Sequence, residues 1–324
     1  MKEYKWGIIG CGDVTEKKSG PAYQQTDNFR LHAVMRRDLK KAKDYAQRHA
    51  VPFFYSNADE LIQNPEIDAV YIATPPDTHK YYALKVAAAG KPCCIEKPMA
   101  PSYEDCIEIT DTFQRLSIPL YVAYYRRSLP RFLKIKEWLD SNEIGEVRHV
   151  NYLYTRTASP LDLSDSYNWR TDKEIAYGGY FDDLASHALD LFMFLLGDIE
   201  NASGMSTNQQ NIYSAMDAVV GYWKHSNGVT GSGSWNFGAN ERNDRVEILG
   251  NKGVIRFSVF NEEEISIESA EKKDTLFIEN PDPIQLHHVK NIQQDLIYGL
   301  KHPSTGASAT KTTWVMDKIL SKEI

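Results

Sequence analysis

Disulfide frameworks, metal clusters and membrane spans all lack raw material in this sequence. Only four cysteines occur in 324 residues, at 11, 93, 94 and 106. Two are adjacent, and no Cys-x-x-Cys pair appears, so a disulfide scaffold and a cysteine-built zinc site are both excluded. Such sparse cysteine suits a reducing compartment. No apolar run approaches the roughly 20 residues that a membrane helix needs. The amino terminus runs from Met1-Lys2-Glu3-Tyr4-Lys5 straight into Trp6-Gly7-Ile8-Ile9, too short and too early for a signal peptide. A cytoplasmic location is therefore expected. Internal repeats, low-complexity tracts and long polar linkers are missing as well. The formal net charge of -7, without a compensating basic stripe, argues against a nucleic-acid partner and favours simple solubility.

What is present is an ordinary globular composition, 42% apolar and 25% charged, in a chain long enough for two domains. From residue 4 to about 122, short apolar runs (Lys5 to Ile9, Leu31 to Met35, Ala69 to Ala73, Pro92 to Ile95, Leu120 to Ala123) alternate with helical patterns such as 38–50 and 78–90. That alternation predicts βαβ units around a doubly wound parallel sheet. After residue 145 the pattern changes to alternating strands (147–156, 218–223, 229–235, 245–250, 253–259) with hairpin signals at Ser226-Asn227-Gly228 and Asn251-Lys252. One long helix at 182–198 interrupts them, and a helical tail runs from about 287. The expected organisation is a Rossmann domain over 1–122 and an α+β domain over 123–324 with a large, mostly antiparallel open sheet.

Chemistry-bearing residues fall into three groups. Gly10-Cys11-Gly12, followed by Asp13-Val14, closes the first strand and opens a helix, the context of a dinucleotide-binding loop, although the third glycine position is Thr15. At the end of the second strand, where an acidic residue would bond an NAD ribose, the sequence reads Met35-Arg36-Arg37-Asp38. Paired guanidiniums suit a 2'-phosphate, which predicts NADP over NAD. The plainer alternative is that both arginines are solvated while Asp38 caps the next helix. After the run Cys93-Cys94-Ile95, Glu96-Lys97-Pro98 either simply ends a strand or presents Lys97 at the carboxyl edge of a parallel sheet, where such folds bind ligands. On the long helix, Asp183 and His187 stand four residues apart on one face, with Asp190 close to that face in a structural role. A metal could use an aspartate and a histidine so spaced, but no third ligand is evident and no metal site is expected.

The segments 7–12 (GIIGCG), 70–79 (VYIATPPDTH), 89–100 (AGKPCCIEKPMA), 124–130 (YYRRSLP), 144–147 (IGEV), 169–170 (WR) and 178–197 (GGYFDDLASHALDLFMFLLG) together resemble the family of glucose-fructose oxidoreductase, inositol dehydrogenase and MocA. The resemblance spans nearly the whole chain. It implies that Lys97 is catalytic, that Asp183 and His187 hold the reacting hydroxyls, and that His187 acts with Lys97 as acid or base. It also implies that Thr74-Pro75-Pro76 and His79 lie along the cofactor, that Glu96 contacts it, that Arg126 lines the nicotinamide site, and that Trp169-Arg170 reaches back across it. The Lys97–Pro98 bond is expected to be cis, as in that family. Strand residues Tyr152, Tyr154 and Arg156 offer rings and polar tips to a sugar, with Tyr154 taken as the substrate contact. The implied activity is an NADP-dependent, or alternatively NAD-dependent, oxidoreductase acting on a sugar, polyol or related cyclic alcohol or ketone. It would assemble as a homodimer or homotetramer through the C-terminal sheet. An NAD-dependent glycosidase of the same fold and a non-catalytic nucleotide or sugar sensor are the competing functions.

Overall fold

The computed structural model describes residues 2–164 and 166–322. Its first sheet has six parallel strands: β1 (Tyr4–Ile9), β2 (Phe29–Met35), β3 (Phe53–Tyr55), β4 (Ala69–Ile72), β5 (Cys93–Ile95) and β6 (Leu120–Val122). Their order, β3-β2-β1-β4-β5-β6, is that of a doubly wound dinucleotide fold. Strand β4 and the cysteine run of β5 are buried along their whole length, as strands covered on both faces must be. Helices α1 (Asp13–Lys17), α2 (Ser19–Gln24), α3 (Leu39–Arg48), α4 (Ala58–Gln63), α5 (His79–Ala88) and α6 (Tyr103–Arg115) connect them.

The remaining chain forms α7 (Pro130–Asp140), β7 (Val147–Thr155), α8 (Tyr180–Leu196), β8 (Ile199–Thr207), β9 (Ala218–His225), β10 (Thr230–Asn236), β11 (Asn243–Gly250), β12 (Gly253–Phe257), β13 (Ile265–Ser269), β14 (Lys273–Leu276), α9 (Leu286–Tyr298) and α10 (Gly306–Ile319). The second sheet runs β14-β13-β12-β11-β7-β10-β9-β8. It is antiparallel except where β10 lies parallel to β7. Both expected hairpins form: β9 turns into β10 through Ser226-Asn227-Gly228, with Gly228 at φ +90°, and β11 pairs with β12. Strands β3, β8, β13 and β14 were not foreseen. Among the described residues, no helix is long and apolar enough to cross a membrane.

The division of the chain differs from the expected break after residue 122. The first compact unit runs to Leu129 and takes in Pro281–Thr310; the second comprises Pro130–Asn280 and the tail from Lys311. The reason lies in the parallel sheet, which has an apolar cluster on each face. On one face Ile9, Val70, Ile72, Cys93 and Ile95 pack with residues of α4, α5 and α6. On the other, Trp6, Ile8, Tyr71, Cys94 and Tyr121 are covered in part by Val289 and Ile292 of α9. The tail read as part of the second domain therefore contributes a helix to the first.

Beneath α9 lies a buried pair of imidazoles, His288 and His302, with ring centroids 4.7 Å apart. Burial drives both pKa values well below the ordinary imidazole value, His302 to about 4 despite carbonyl contacts from His288 and Ser304. The folded state thus prefers both rings neutral, whereas unfolded histidine titrates near 6.5. Stability is fully present above that value and is lost as pH falls toward 4. His302 alone should remove about 2 kcal/mol by pH 5. Urea midpoints measured between pH 7 and pH 5 should fall accordingly, and pH-independent midpoints would contradict the burial of this pair.

Candidate active site

The glycine loop follows directly from β1. Gly10 sits at φ +92°, and a Cβ there would come within 2.7 Å of Thr74 Cγ2 and 2.9 Å of the Ala73–Thr74 backbone. Its amide and that of Cys11 donate to Met35 O, at 2.9 and 3.2 Å. Gly12 differs: the nearest atom to an added Cβ is 3.9 Å away, so its bare backbone faces open space just before α1. This is the cradle a pyrophosphate requires. Asp13 and Val14 follow as the first turn of α1. Thr15, standing where a third glycine was expected, is buried and donates its hydroxyl to Gly12 O at 2.7 Å, while Tyr45 donates to Thr15 O at 2.8 Å. The close approach usually assigned to that glycine occurs at Gly20, whose added Cβ would strike Thr15 O and the Tyr45 hydroxyl.

Strand β2 ends at Met35, as the sequence required. Asp38 is engaged as the N-cap of α3, accepting from the amides of Lys40 (3.0 Å) and Lys41 (3.2 Å). Arg36 turns toward the glycine loop and donates to Cys11 O at 3.1 Å, and Arg37 is exposed. The strand end is therefore cationic, with its one nearby carboxylate already occupied.

Two further loops leave the sheet beside this one. Thr74-Pro75-Pro76 follows β4, held by Thr78 Oγ1 donating to Thr74 Oγ1 at 2.7 Å. His79, expected along the cofactor, is instead fully buried. Its Nε2 faces Thr74 O at 2.7 Å, and its Nδ1 faces the carbonyls of Pro98 (3.1 Å) and Met99 (3.2 Å). Burial lowers its pKa against the pull of those carbonyls. The ring ties the β4 loop to the β5 loop and has no face left for a ligand. After β5 come Glu96, buried with Oε1 accepting from the Tyr71 hydroxyl at 2.6 Å, then half-buried Lys97 and a cis Lys97–Pro98 bond. Arg126 lies in a short 3-10 turn after β6, its guanidinium 4.9 Å from the Tyr125 ring. Burial raises the Tyr125 pKa, but Arg126, Lys18 and Lys97 together bring it below its ordinary value. Three cations therefore converge on one phenol at this sheet edge; Tyr125 and Lys18 escaped the sequence reading, which had no spacing signal for either.

The second unit carries the other expected residues. Asp183 and His187 occupy successive turns of α8, both buried. Trp169 and Arg170 form a 3-10 turn started by Asn168, and Arg170 Nε donates to Asp183 Oδ2 at 2.5 Å while stacking 4.4 Å from the Trp169 ring. The Trp169-Arg170 segment thus serves Asp183. His187 meets the edge of Phe260, with centroids 5.9 Å apart. That phenylalanine is fixed by Asp244, which accepts from the Phe260 amide (2.6 Å), the Ser258 hydroxyl (2.6 Å) and the Tyr152 hydroxyl (3.0 Å). Tyr152 is consequently structural. Tyr154 is buried among Tyr152, Phe237 and Phe260, its hydroxyl 3.4 Å from Arg242 Nη1, so only its polar tip can meet a substrate. Arg156 pairs with Asp162 at 2.9 Å, and Asp190 accepts from Thr312 at 3.1 Å; both are internal ties. Among the described residues, no group of three or more His, Cys, Asp or Glu side chains is placed to hold a metal.

Comparison with known proteins places both halves in one family. Residues 4–124 match the oxidoreductase family model with an NAD-binding Rossmann fold, and residues 132–256 match the GFO/IDH/MocA C-terminal domain. The chain belongs to the GFO/IDH/MocA family. An oxidoreductase of Formosa agariphila is 42% identical over 317 residues, covering 96% of this chain and 97% of its own. Inositol 2-dehydrogenase 2 of Saccharopolyspora erythraea is 32% identical over 161 residues, 49% of this chain and 48% of its own. Among solved structures, levoglucosan dehydrogenase in complex with NADH and levoglucosan superposes with a TM-score of 0.87, at 22% identity, over 98% of this chain and 96% of its own. As a GFO/IDH/MocA protein the chain is an oxidoreductase with an NAD(P)-binding Rossmann domain, and the open backbone at Gly12 leaves room for such a cofactor beside the glycine loop.

The two glycines make opposite predictions. Gly12→Val should fold with an unchanged melting temperature, because its side chain enters open space, yet lose NAD(P)H binding in a fluorescence titration. Gly10→Ala should lower thermal stability, since it combines a left-handed backbone with a steric clash, at a cost of about 1–3 kcal/mol.

Proposed function

We propose that this GFO/IDH/MocA member transfers hydride between NADP and a CH–OH carbon of a sugar, polyol or related cyclic alcohol or ketone. The observation that carries the reading is the placement of Lys97 at the carboxyl end of β5, in the same row of loops as the open Gly12 backbone and, like Arg126, close enough to act on the Tyr125 phenol. Polyol and sugar relatives, an inositol dehydrogenase and a levoglucosan dehydrogenase, support the substrate class.

Gly10, Cys11, Gly12, Asp13 and Val14 would hold the pyrophosphate, Arg36 and Arg37 the adenosine end, and Thr74-Pro75-Pro76 and Arg126 the remainder. When bound, the nicotinamide accepts or returns a hydride at C4. For each hydride that leaves the substrate carbon, the hydroxyl must lose a proton. Lys97 and His187 hold and pass that proton. Asp183, steadied by Arg170, orients the hydroxyl and the imidazole. Lys97→Ala should cut kcat by about 100-fold or more while leaving the cofactor Kd within threefold. His187→Ala should slow turnover likewise. Retention of most turnover by Lys97→Ala on the true substrate overturns the assignment, and release of free sugar without net change in nicotinamide absorbance would point to a glycosidase.

The preference for NADP rests on the strand end after β2, where Arg36 and Arg37 stand and Asp38 is consumed by its capping bonds. Side-by-side titrations should give tighter binding of NADPH than NADH, with the order reversed in Arg36→Asp. A clear preference of the wild type for NADH rejects it.

The open face of the second sheet supports self-association. Met205, Val220, Ser234 and Leu153 align in register across β8, β9, β10 and β7, and neighbouring Tyr222 is 63% exposed. A face on which Met205, Val220, Leu153 and Tyr222 are exposed together suits a second copy of the chain as a homodimer or homotetramer. Tyr222→Asp should shift sedimentation toward the monomer. We place the protein in the cytoplasm, consistent with four buried cysteines that form no disulfide with one another.

A further inference from the structure

The carboxylate of Glu96 collects three donors from three parts of the chain. Tyr71 of β4 donates its hydroxyl to Oε1 at 2.6 Å, Gln285 donates its side-chain amide to the same oxygen at 2.9 Å, and the backbone amide of Lys97 donates to Oε2 at 3.1 Å. Glu96 is 8% exposed and Gln285 1%. Gln285 occupies the N-cap of α9, yet its side chain makes no capping bond to the helix. It has turned to the strand instead. The helix and strand meet by matching periods: Gln285 and His288 lie three apart on one face of α9, and Cys94 and Glu96 lie two apart in chain order at the end of β5. Gln285 meets Glu96, and His288 Nε2 approaches Cys94 Sγ at 3.8 Å.

We infer that Gln285 is a positioning residue for Lys97, acting through Glu96. Glu96 and Lys97 are consecutive, and the first residue's carboxylate holds the second's amide, so whatever fixes that carboxylate fixes the direction in which the lysine leaves the backbone. Without Gln285 the carboxylate would be held only by the Tyr71 hydroxyl and by the Lys97 amide, the group it has to fix. Gln285 adds a second donor to Oε1 that is independent of both. Its source is the segment that returns from the second unit, 189 residues further along the chain. The inference rests on the reading of Lys97 as proton handler only for its kinetic consequence, not for the positioning itself.

Gln285→Met keeps the shape and removes the donor. It should lower kcat by about 10- to 100-fold, the effect of misplacing a reacting group, with the NADPH Kd within threefold of wild type. A second readout is independent of turnover: in protein carrying 13C-dimethylated lysines, the Lys97 resonance, assigned by its absence in Lys97→Arg, should shift in Gln285→Met while the other lysines stay in place. Unchanged kcat with an unchanged Lys97 resonance overturns the inference, as does lost turnover with that resonance unmoved. If the resonance moves but Lys97→Ala retains turnover, the positioning stands and the catalytic assignment falls. Should Gln285→Met fail to fold, Gln285→Glu provides the same test, because a carboxyl can donate to Glu96 only while protonated. Its kcat should climb toward the wild-type value as pH falls, and a uniformly low profile overturns the inference.

Discussion

A parallel sheet must be covered on both faces, and the architecture of this protein follows from that constraint. Trp6, Ile8, Tyr71, Cys94 and Tyr121 present one continuous apolar face, which α2 and α3 cover in part and which the chain finishes covering by coming back after residue 281. Burying such surface is worth roughly 25 cal/mol for each Å² removed from water, so leaving it bare would cost more than a domain's net stability. The returning helix does more than cover. Its first turn delivers Gln285 to the end of β5, and its second places Val289 and Ile292 on the sheet.

Buried carboxylates organise the loops around the candidate site, and in each case they do so through backbone amides or short polar side chains as much as through cations. Glu96 gathers Tyr71, Gln285 and the Lys97 amide; Asp244 gathers the amides of residues 259–261; Asp162 gathers Tyr180, Arg156 and the Ser159 amide. An ionised oxygen accepts several such bonds, each stronger than a neutral pair. One side chain can thereby fix a loop that has no apolar core of its own.

How far the sequence could be read depended on how local each signal was. Strands β1, β2, β4, β5 and β6 announced themselves as apolar runs between helical patterns, and the lysine, aspartate and histidine of the candidate site stood inside recognisable segments. Strand β8 escaped because its residues, Ile199–Thr207, are mostly small or polar; Gly204 is there because any Cβ would strike Val220 O and Ile319 of α10. Nothing within β8 itself reports that contact. The same holds for Arg170 bonding Asp183, for His79 bridging two loops and for Gln285 reaching Glu96, since each joins residues whose proximity exists only after folding. Motifs named the candidate reacting groups, while the residues that support them lay elsewhere in the chain.

The path of the chain also sets a schedule. Each unit is built from two pieces that interleave along the chain, as two speakers who interrupt each other: residues 130–280 separate the pieces of the first, and residues 281–310 separate those of the second. A ribosome delivers the amino-terminal strands first, but the part of their second face that α9 covers stays bare until some 160 further residues have emerged. The second unit in turn waits for its own tail from Lys311, so neither unit can close until nearly the whole chain has been made.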